Sequence, residues 1–397
     1  MDTNEFKSSD VKALVMCLPD PSGNPRPRRV IELCLKLGMD VSVLSMPPKK
    51  SIANVRYFGS RHLSKSITQK ILRKIYGLAV SFSPNKKASD LLESNRLGFE
   101  TAWKELPEGG FDIMIVEDLF LLPLAFSKKG KAKVVFDARE YYPRQNEGNL
   151  WFEIVEKRRR IELCRRFLPL CDAVLTVSGG LAKEYRKEFG VEAAVVLSAP
   201  HYLEMEPTPC IGEKIRMVYH GAASKNRKLE NLIQIFELLD ERFTLDLILV
   251  SDEGYQEKLK KLAANNPRIG FPGPVPFEEI IPTLNRFDIG FLYYEPTGFN
   301  IANCLPNKFF EYIQARLMVA IGPTPDMAEL VYKYHCGVVA EAFSIESMVE
   351  ALNSLTKEQI NYAKKCSDIA ARDLCFEKEH KKLKAIIQNM LSKSSDN

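Results

Sequence analysis

The chain has 397 residues, of which 45% are hydrophobic and 27% charged, a balance typical of a globular protein with two or three domains. This composition excludes a disordered chain, a coiled coil and a collagen-like fibre, and no apolar run approaches the roughly 18 residues that a membrane span needs. The net charge of +5 combines an excess of nine positive charges in residues 1–200 with an excess of four negative charges in the remainder, which indicates two domains with different partners.

The cysteines and histidines give no sign of a metal site. The nine cysteines form no C-x-x-C pair, and the five histidines are scattered, so we expect neither a structural metal nor a disulfide framework. The first residues carry two acidic side chains and no apolar signal core, so we expect a cytoplasmic protein.

Short apolar runs alternate with helical stretches along the first half of the chain. A Pro/Gly loop at Pro19–Pro27 leads into a predicted helix, Arg28–Leu37, where apolar residues recur with helical spacing before Gly38. Strands of this half are predicted at Val11–Leu18, Val41–Leu44, Ile113–Val116, Val134–Phe136 and Ala173–Val177. Strands that alternate with helices are typical of βαβ units and a parallel sheet.

The alternation breaks at Ser198–Gly212, where three prolines and a glycine predict a linker, and then restarts. Strands of the second half are predicted at Ile215–His220, Leu245–Val250, Ile269–Phe271, Ile289–Tyr293, Met318–Gly322 and Gly337–Val339. Helices are predicted at Leu229–Leu239, Gln256–Ala264, Ile280–Phe287, Lys308–Ala315 and Met327–Tyr334, and almost throughout Ile345–Leu391. The fold class that follows is α/β: two tandem Rossmann-like domains, residues 1–200 and 213–375, facing a cleft, with a C-terminal helix and polar tail at residues 376–397.

The strongest local motif is the octet Leu305–Tyr312, with the sequence LPNKFFEY. Pro306 suits the first turn of a helix, and the free N–H groups of that turn, with Asn307 and Lys308, suit a phosphate. One turn further on, Glu311 has a carboxylate that can accept hydrogen bonds from a ribose diol. Taken alone, this octet is also compatible with a capped surface helix.

This octet resembles the P-N-K-x-F-E-Y version of the donor-binding motif in retaining GT-B glycosyltransferases of the family-4 type (glycosyl transferases group 1). The segment from Val218 through His220 and Gly221 to Ile233 is similar to the family's opening of the second domain, and Asn266–Pro276 is similar to the loop that lies against the nucleotide base. The resemblance implies that the second domain binds the nucleotide sugar through His220, Gly221, Arg227, Lys228, Pro306, Asn307, Lys308 and Glu311. It also implies that the first domain binds the acceptor.

In the first domain, two strands end in acidic residues, as they do in the family. Asp118 follows one strand, and the sequence DARE, with Arg139 and Glu140, follows the next. Carboxylates at such strand ends can orient an acceptor hydroxyl or accept its proton, although each can also cap the following turn. The resemblance implies catalytic roles for Asp118, Glu140, Arg139 and Asn303. Arg139 replaces the family's usual histidine, and Asn303 replaces the first glutamate of its Glu-x7-Glu motif, so the contact with the donor sugar differs.

The loop around Gly23 occupies the place of the family's first glycine loop, whose backbone approaches the donor diphosphate. Three arginines of this segment either bind an anionic acceptor or belong to a solvated basic loop: Arg26, Arg28 and Arg29.

Two stretches of the first domain are basic: 65–82, which combines cations with apolar residues at helical spacing, and 157–166, which is a cluster of cations. They favour either peripheral contact with an anionic membrane through Lys70, Arg73, Lys74 and Arg158–Arg160, or an ordinary core-facing stripe with a solvated charged face. Neither stretch interleaves aromatic residues with its charges as nucleic-acid binding requires, so we expect no nucleic-acid partner.

The sequence therefore predicts a retaining glycosyltransferase that transfers a sugar from a nucleotide-diphosphate donor to a glycan or lipid-linked acceptor in polysaccharide or glycoconjugate synthesis. UDP is the expected nucleotide, no further cofactor or metal is expected, and the expected location is the cytoplasm or the inner face of its membrane. A non-hydrolysing nucleotide-sugar epimerase and a catalytically silent binding subunit of the same fold remain alternatives. A nicotinamide dehydrogenase is disfavoured because no G-x-G-x-x-G opens either domain.

Overall fold

The computed structural model describes residues 11–59 and 67–392, apart from the side chains of residues 67–73 and of Trp103. The chain divides into two compact units. The N-terminal unit comprises Met1–Val177, Leu181–Val196 and His380–Asn397, and the C-terminal unit comprises Ser178–Gly180 and Leu197–Glu379. The second unit therefore begins close to the predicted linker.

In the described part of the N-terminal unit, seven strands form one parallel sheet in the order β3-β2-β1-β4-β5-β6-β7. The strands are β1 (Lys12–Met16), β2 (Asp40–Ser45), β3 (Val55–Gly59), β4 (Ile113–Val116), β5 (Lys133–Ala138), β6 (Ala173–Thr176) and β7 (Ala193–Val195). Most side chains of the central strands are buried, because helices cover both faces of a parallel sheet. The residues that follow β4 and β5 lie at the same edge, since the two strands are paired in parallel with Val116 opposite Phe136.

The helices of this unit connect the strands and cover the sheet. They are α1 (Pro25–Lys36), α2 (Ile67–Phe82), α3 (Lys86–Leu97), α4 (Ala102–Glu105), α5 (Leu122–Lys128), α6 (Lys157–Phe167, preceded by a π-helical turn at Phe152–Glu156) and α7 (Gly179–Phe189). Across the described ranges, no helix has the length and apolar character to cross a membrane.

In the C-terminal unit, the described residues form a six-stranded parallel sheet in the order β10-β9-β8-β11-β12-β13. The strands are β8 (Ile215–Ala222), β9 (Phe243–Val250), β10 (Ile269–Gly270), β11 (Ile289–Leu292), β12 (Met318–Ile321) and β13 (Gly337–Val339). The helices are α8 (Glu230–Glu237), α9 (Glu253–Ala263), α10 (Ile280–Leu284), α11 (Phe299–Ala302), α12 (Asn307–Gln314), α13 (Pro325–Tyr334), α14 (Ile345–Asn353) and α15 (Lys357–Asp373). Of the last helix, α16 (Phe376–Ser392), only Phe376–Glu379 belong to this unit.

The last helix contributes to the core of the N-terminal unit rather than forming a separate tail. Leu383, Ile387 and Leu391 of α16 are buried in the same cluster as Val30 of α1 and Val41 of β2. Their spacing of four residues places them on one face of the helix, and that face fills the core of the first unit.

The predicted alternation of strands and helices is confirmed, and all eleven predicted strands are present. Two strands were not predicted. The edge strand β3 has side chains that alternate between exposed and half-buried rather than forming an apolar run. The other edge strand, β7, has only three residues, which is too short for any periodicity to register.

The loop predicted at Pro19–Pro27 is wrong in its second half. Helix α1 begins at Pro25, so Arg26 lies in its first turn and is buried. Its Nε and Nη2 donate to the two carboxylate oxygens of Asp137 at 2.6 and 2.7 Å, and its Nη1 donates to the carbonyl of Val196 at 2.9 Å. Arg26 is therefore a structural ion-pair partner of Asp137 at the end of β5. It is neither a solvated cation nor available to bind an anionic acceptor.

The basic run at Arg158–Arg160 does not face solvent as a whole. Arg159 is buried and pairs with Asp90 at 2.8 Å, and Arg160 is buried with its guanidinium 4.8 Å from the ring centroid of Phe120. Only Arg158 of the three is exposed. Of the other predicted membrane cations, Lys74 is exposed, and the side chains of Lys70 and Arg73 are among those not described. Lys65, which begins the basic stretch 65–82, lies outside the described residues.

We expect Arg26→Ala to lower the free energy of unfolding of the N-terminal unit by about 3–5 kcal/mol, because it leaves the carboxylate of Asp137 buried without its partner. Adding Asp137→Asn, which removes the orphaned charge, should restore part of that loss. Urea unfolding followed by circular dichroism measures both changes.

The matched control is Arg28→Ala in the same helix. Arg28 forms a half-exposed pair with Glu32 at 3.1 Å, so its loss should cost less than about 1 kcal/mol. Equal effects of the two substitutions would show that the buried pair has no special role in stability.

Candidate functional site

Two cations of the C-terminal unit meet at a buried tyrosine. Lys308 is the second residue of α12 and is buried, and its Nζ donates to the Tyr219 hydroxyl at 3.0 Å. Arg227 lies in the short turn before α8, with its guanidinium 5.4 Å from the ring centroid of Tyr294. The two hydroxyls, of Tyr219 and Tyr294, are 3.5 Å apart. The structure therefore brings together two cations, Arg227 and Lys308, that the resemblance assigned to nucleotide-sugar binding.

The positive charges change the ionisation of the tyrosine between them. Burial alone disfavours the phenolate of Tyr219, but the charges of Lys308 and Arg227 outweigh burial and lower its pKa to about 8. Burial lowers the pKa of Lys308, even though Tyr219 opposes the shift. A concentration of positive charge that partly ionises a tyrosine is an environment that favours an added anion.

Backbone geometry makes room for this cluster at Gly221. The residue has a φ of +116°, and a Cβ atom there would lie 2.6 Å from Lys308 Nζ. Any other residue would therefore be strained and would displace the lysine. The N-terminus of α12 follows Pro306, so the free N–H groups of its first turn, beginning at Asn307, lie on the same helix end as the lysine.

Glu311 lies one turn along α12 beside the end of β8. Its Oε2 is 3.0 Å from Nε2 of His220, although the arrangement does not meet hydrogen-bond geometry. The His220 ring packs edge-on against Tyr312, with centroids 5.4 Å apart. Glu311 is half-buried and keeps acceptor capacity for a ligand.

A small, mainly apolar pocket of about 80 Å³ adjoins His220. It is bounded by the ends of β8 and β9, by α10 and by the loop before it. Its lining residues are His220, Gly221, Ile248, Val250, Val275, Ile280, Thr283 and Leu284. Val275 belongs to the proline-rich loop that the sequence analysis assigned to the nucleotide base.

Lys228 and Asn303 lie near the cluster in sequence but already have local partners. Lys228 adopts a left-handed conformation, with φ of +46°, and its Nζ donates to Glu295 at 2.8 Å. Asn303 ends α11, and its amide nitrogen donates to the carbonyl of Phe299 at 2.9 Å. The structure therefore does not join either side chain directly to the Tyr219 cluster.

The N-terminal unit has its own group of charges where β4 and β5 end. Glu117 is fully buried, and neither of its carboxylate oxygens has a hydrogen-bond partner. Burial, and next the charge of Asp137, raise its pKa to about 8, although Arg139 and Arg26 oppose the shift. Glu117 is therefore largely protonated at neutral pH.

Asp118 and Arg139 are half-buried at the same strand ends. Burial raises the pKa of Asp118 to about 6, against the opposing effect of the Phe120 N–H, which donates to its Oδ1 at 3.0 Å. Glu140 is exposed.

Gly23 is exposed in a short turn, and a Cβ atom there would meet nothing within 4 Å, so no close approach of the protein itself requires glycine.

Sequence reasoning missed Tyr219, Tyr294 and Glu117. Each directly adjoins a residue or predicted strand that was singled out: Tyr219 precedes His220, Tyr294 follows the predicted strand Ile289–Tyr293 and Glu117 precedes Asp118. Their positions at the ends of strands were the only signal in the sequence that could have identified them. That signal is weak, because an aromatic residue or a single acid at a strand end does not reveal which charged side chains the fold places around it. Among the described residues, no group of three or more His, Cys, Asp or Glu side chains is arranged to hold a metal ion.

Residues 214–358 match the family model for glycosyl transferases group 1. This segment contains the whole cluster around Tyr219, the His220–Glu311 pair and the apolar pocket. A comparison with curated protein sequences finds no match.

Solved structures share the fold over nearly the whole chain. Sucrose-phosphate synthase from Thermosynechococcus elongatus matches with a TM-score of 0.73 and 10% identity, over 96% of this chain and 99% of that one. HepE from Anabaena, in complex with UDP and glucose, matches with a TM-score of 0.66 and 12% identity, over 95% and 99%. An α,α-trehalose-phosphate synthase (UDP-forming) from Burkholderia vietnamiensis matches with a TM-score of 0.68 and 12% identity, over 97% and 99%. The predicted GT-B class of two parallel-sheet α/β domains with a helical C-terminal segment is confirmed.

The electrostatic account of the cluster is tested by tyrosine ionisation. Of the 14 tyrosines, Tyr219 should ionise near pH 8 in the unliganded protein, well below the usual value of about 10. Ultraviolet difference titration should show this early component, and Tyr219→Phe should remove it.

Lys308→Met should move the early component towards the ordinary tyrosine range, because the nearest positive charge is gone. Lys225→Met removes an exposed cation of the same turn as Arg227 and should leave the component in place. An early component that survives Tyr219→Phe would contradict the assignment.

Proposed function

We propose that the protein is a glycosyltransferase that transfers a sugar from a nucleotide-diphosphate donor to an acceptor hydroxyl. The observation that carries the proposal is the convergence of Arg227 and Lys308 on the Tyr219–Tyr294 pair, beside the pocket at His220, within the segment that matches glycosyl transferases group 1. These features offer the three elements that a nucleotide sugar requires: cations for the diphosphate, an acceptor group for the ribose and an apolar pocket for the base.

In this proposal the donor diphosphate binds to Arg227, Lys308 and the first-turn N–H groups of α12. Its negative charge replaces the partial charge of the Tyr219 phenolate, so the tyrosine regains its proton on binding. Glu311 accepts hydrogen bonds from the ribose hydroxyls, and the base enters the pocket lined by Val275. UDP is the proposed nucleotide, in keeping with the UDP that the Anabaena relative holds.

The chemistry breaks the bond between the anomeric carbon and the β-phosphate oxygen and forms one from that carbon to the acceptor oxygen. The nucleoside diphosphate leaves with the electron pair of the broken bond, so negative charge grows on it in the transition state. Arg227 and Lys308 are placed to stabilise that growing charge, which lowers the barrier more than it strengthens ground-state binding.

The N-terminal unit is proposed to supply the residues that bind the acceptor substrate. Asp118, with its pKa of about 6, is largely ionised at neutral pH and can take the proton of the acceptor hydroxyl. Arg139 and the exposed Glu140 orient polar groups of the acceptor, whereas Glu117 is fully buried and does not contact it. Because the sequence resembles retaining enzymes, the proposal extends to retention of anomeric configuration and to a glycan or lipid-linked acceptor.

A panel of nucleotide sugars tests the activity directly. Incubation with each donor should release nucleoside diphosphate, slowly by hydrolysis to water and faster when an acceptor is present. Isomerised nucleotide sugar without diphosphate release would indicate an epimerase. Tight nucleotide binding without any turnover would indicate a silent subunit, an outcome made more relevant by Asn303, whose amide nitrogen is already committed to the Phe299 carbonyl.

The roles of the two cations are tested by Arg227→Ala and Lys308→Ala. Each should lower kcat by roughly 10²–10³-fold, as the loss of one transition-state donor does, and should raise the donor KM less. The double variant should lose less than the product of the two effects, because both cations act on one leaving group. Steady-state kinetics of diphosphate release measure all three variants.

Lys225→Ala is the matched control, since Lys225 is an exposed cation in the same turn as Arg227. It should keep the kinetics of the natural chain. Near-normal kcat in both single variants, or losses that multiply fully, would contradict a shared diphosphate site.

A further inference from the structure

Helix α2 of the N-terminal unit has an apolar stripe on its solvent side. Ile75, Leu78 and Phe82 are 42–56% exposed, and their spacing of three and four residues places them on one face. The opposite side of the helix packs inward through the buried Val80 and Ser81. A surface helix normally turns its apolar stripe towards the core, so this stripe requires another explanation.

A neighbouring segment extends the same surface. A Cβ atom on Gly77 would lie 3.7 Å from the ring of Trp151, so the segment 149–158 runs close beside α2. Within it, Ile154 is 57% exposed, and Arg158 places its guanidinium 5.3 Å from the ring centroid of Phe82. Contiguous exposed apolar groups of this kind mark interaction sites.

Positive charge surrounds the stripe. Residues 67–89 contain five cations and no acidic residue: Lys70, Arg73, Lys74, Lys86 and Lys87. Lys74, Lys86, Lys87 and Arg158 are exposed. The nearby acids of the next segment, Glu153 and Glu156, pair with Lys157 and Arg160 at 2.7 and 3.1 Å. The exposed charge around the apolar stripe is therefore predominantly positive.

We propose that this surface, the α2 patch (Lys74, Ile75, Leu78, Phe82, Ile154 and Arg158), docks onto an anionic lipid bilayer. The apolar side chains enter the boundary between headgroups and acyl chains, and the cations pair with lipid phosphates. Helix α2 has 16 residues, a length of about 24 Å, and lies along the membrane surface. The proposal does not depend on the identity of the donor nucleotide.

A second copy of the chain fits the α2 patch less well than a bilayer does. A two-fold dimer would place the same patch on both sides of the interface. Lys74 and Arg158 of each copy would then face the cations of the other, with no acidic side chain of residues 67–89 to balance them. An anionic bilayer supplies that balancing charge and an apolar layer at once.

Vesicle flotation tests the proposal. The full chain should float with vesicles made of equal parts phosphatidylglycerol and phosphatidylcholine, should not float with phosphatidylcholine alone, and should lose binding as salt is raised. Lys74→Ala and Arg158→Ala should each weaken the partition coefficient roughly fivefold, the effect of one cation near an anionic surface. Ile75→Asp with Leu78→Asp should abolish flotation.

Two matched controls lie off the patch. Lys187→Ala removes a cation of α7 that is 76% exposed at its side chain, and Ile211→Asp charges a hydrophobic residue of the C-terminal unit that is 81% exposed. Both variants should float like the natural chain, and all variants should keep its melting temperature.

Three results would overturn the proposal. The first is absence of binding to either kind of vesicle, and the second is equal binding by the patch variants and the natural chain. The third is a dimer in sedimentation experiments that the patch variants dissociate, without vesicle binding. That result would assign the surface to self-association instead.

Discussion

The hydrogen bond from Lys308 to the Tyr219 hydroxyl, 3.0 Å long, is the interaction on which the C-terminal site depends. It forms because Lys308 lies in the first turn of α12, and because Gly221 leaves the space that a Cβ atom would fill. Arg227 reaches the same tyrosine pair from a separate turn. Two cations are thereby held close to the same tyrosine, and the tyrosine hydroxyl moderates their repulsion. Such an arrangement is costly for an isolated protein and becomes favourable when an anion binds.

In the N-terminal unit, three of the acidic residues at the ends of β4 and β5 each have a different environment. There, Asp137 is neutralised by Arg26 through two short hydrogen bonds, while the adjacent Glu117 remains protonated because it is buried next to that carboxylate. One acid of the group, Asp118, keeps a half-buried position and a pKa close to 6. The fold thus separates a structural carboxylate, a neutral carboxyl group and an ionised one within the ends of two adjacent strands, which is the pattern expected where acids have different tasks.

Much of the fold followed from the sequence, because buried parallel strands are continuous apolar runs and their helices are amphipathic. The edge strands β3 and β7 escaped prediction, since the side chains of β3 alternate between exposed and half-buried and β7 has only three residues. The octet around Lys308 could be selected from the sequence as a candidate phosphate-binding segment, because its residue types and helix start carry that chemistry locally. Tyr219 and Glu117 could not be assigned in this way: their unusual ionisation depends on charges that lie about 90 and 20 residues away in sequence and that only the folded chain assembles. The arginines near Gly23 show the converse error, because a basic run in sequence does not reveal that Arg26 is buried against Asp137.

The most direct measurement is the tyrosinate absorbance of the protein at pH 8 while UDP is added. In the unliganded state about half of Tyr219 is ionised at this pH, since its pKa is about 8. A diphosphate bound to Lys308 and Arg227 should return the proton to Tyr219, so the tyrosinate absorbance should fall with the same saturation as binding measured by calorimetry. Uridine, which lacks the diphosphate, should cause no such change, and Tyr219→Phe should show none with UDP. UDP that binds without any loss of tyrosinate absorbance would contradict the account.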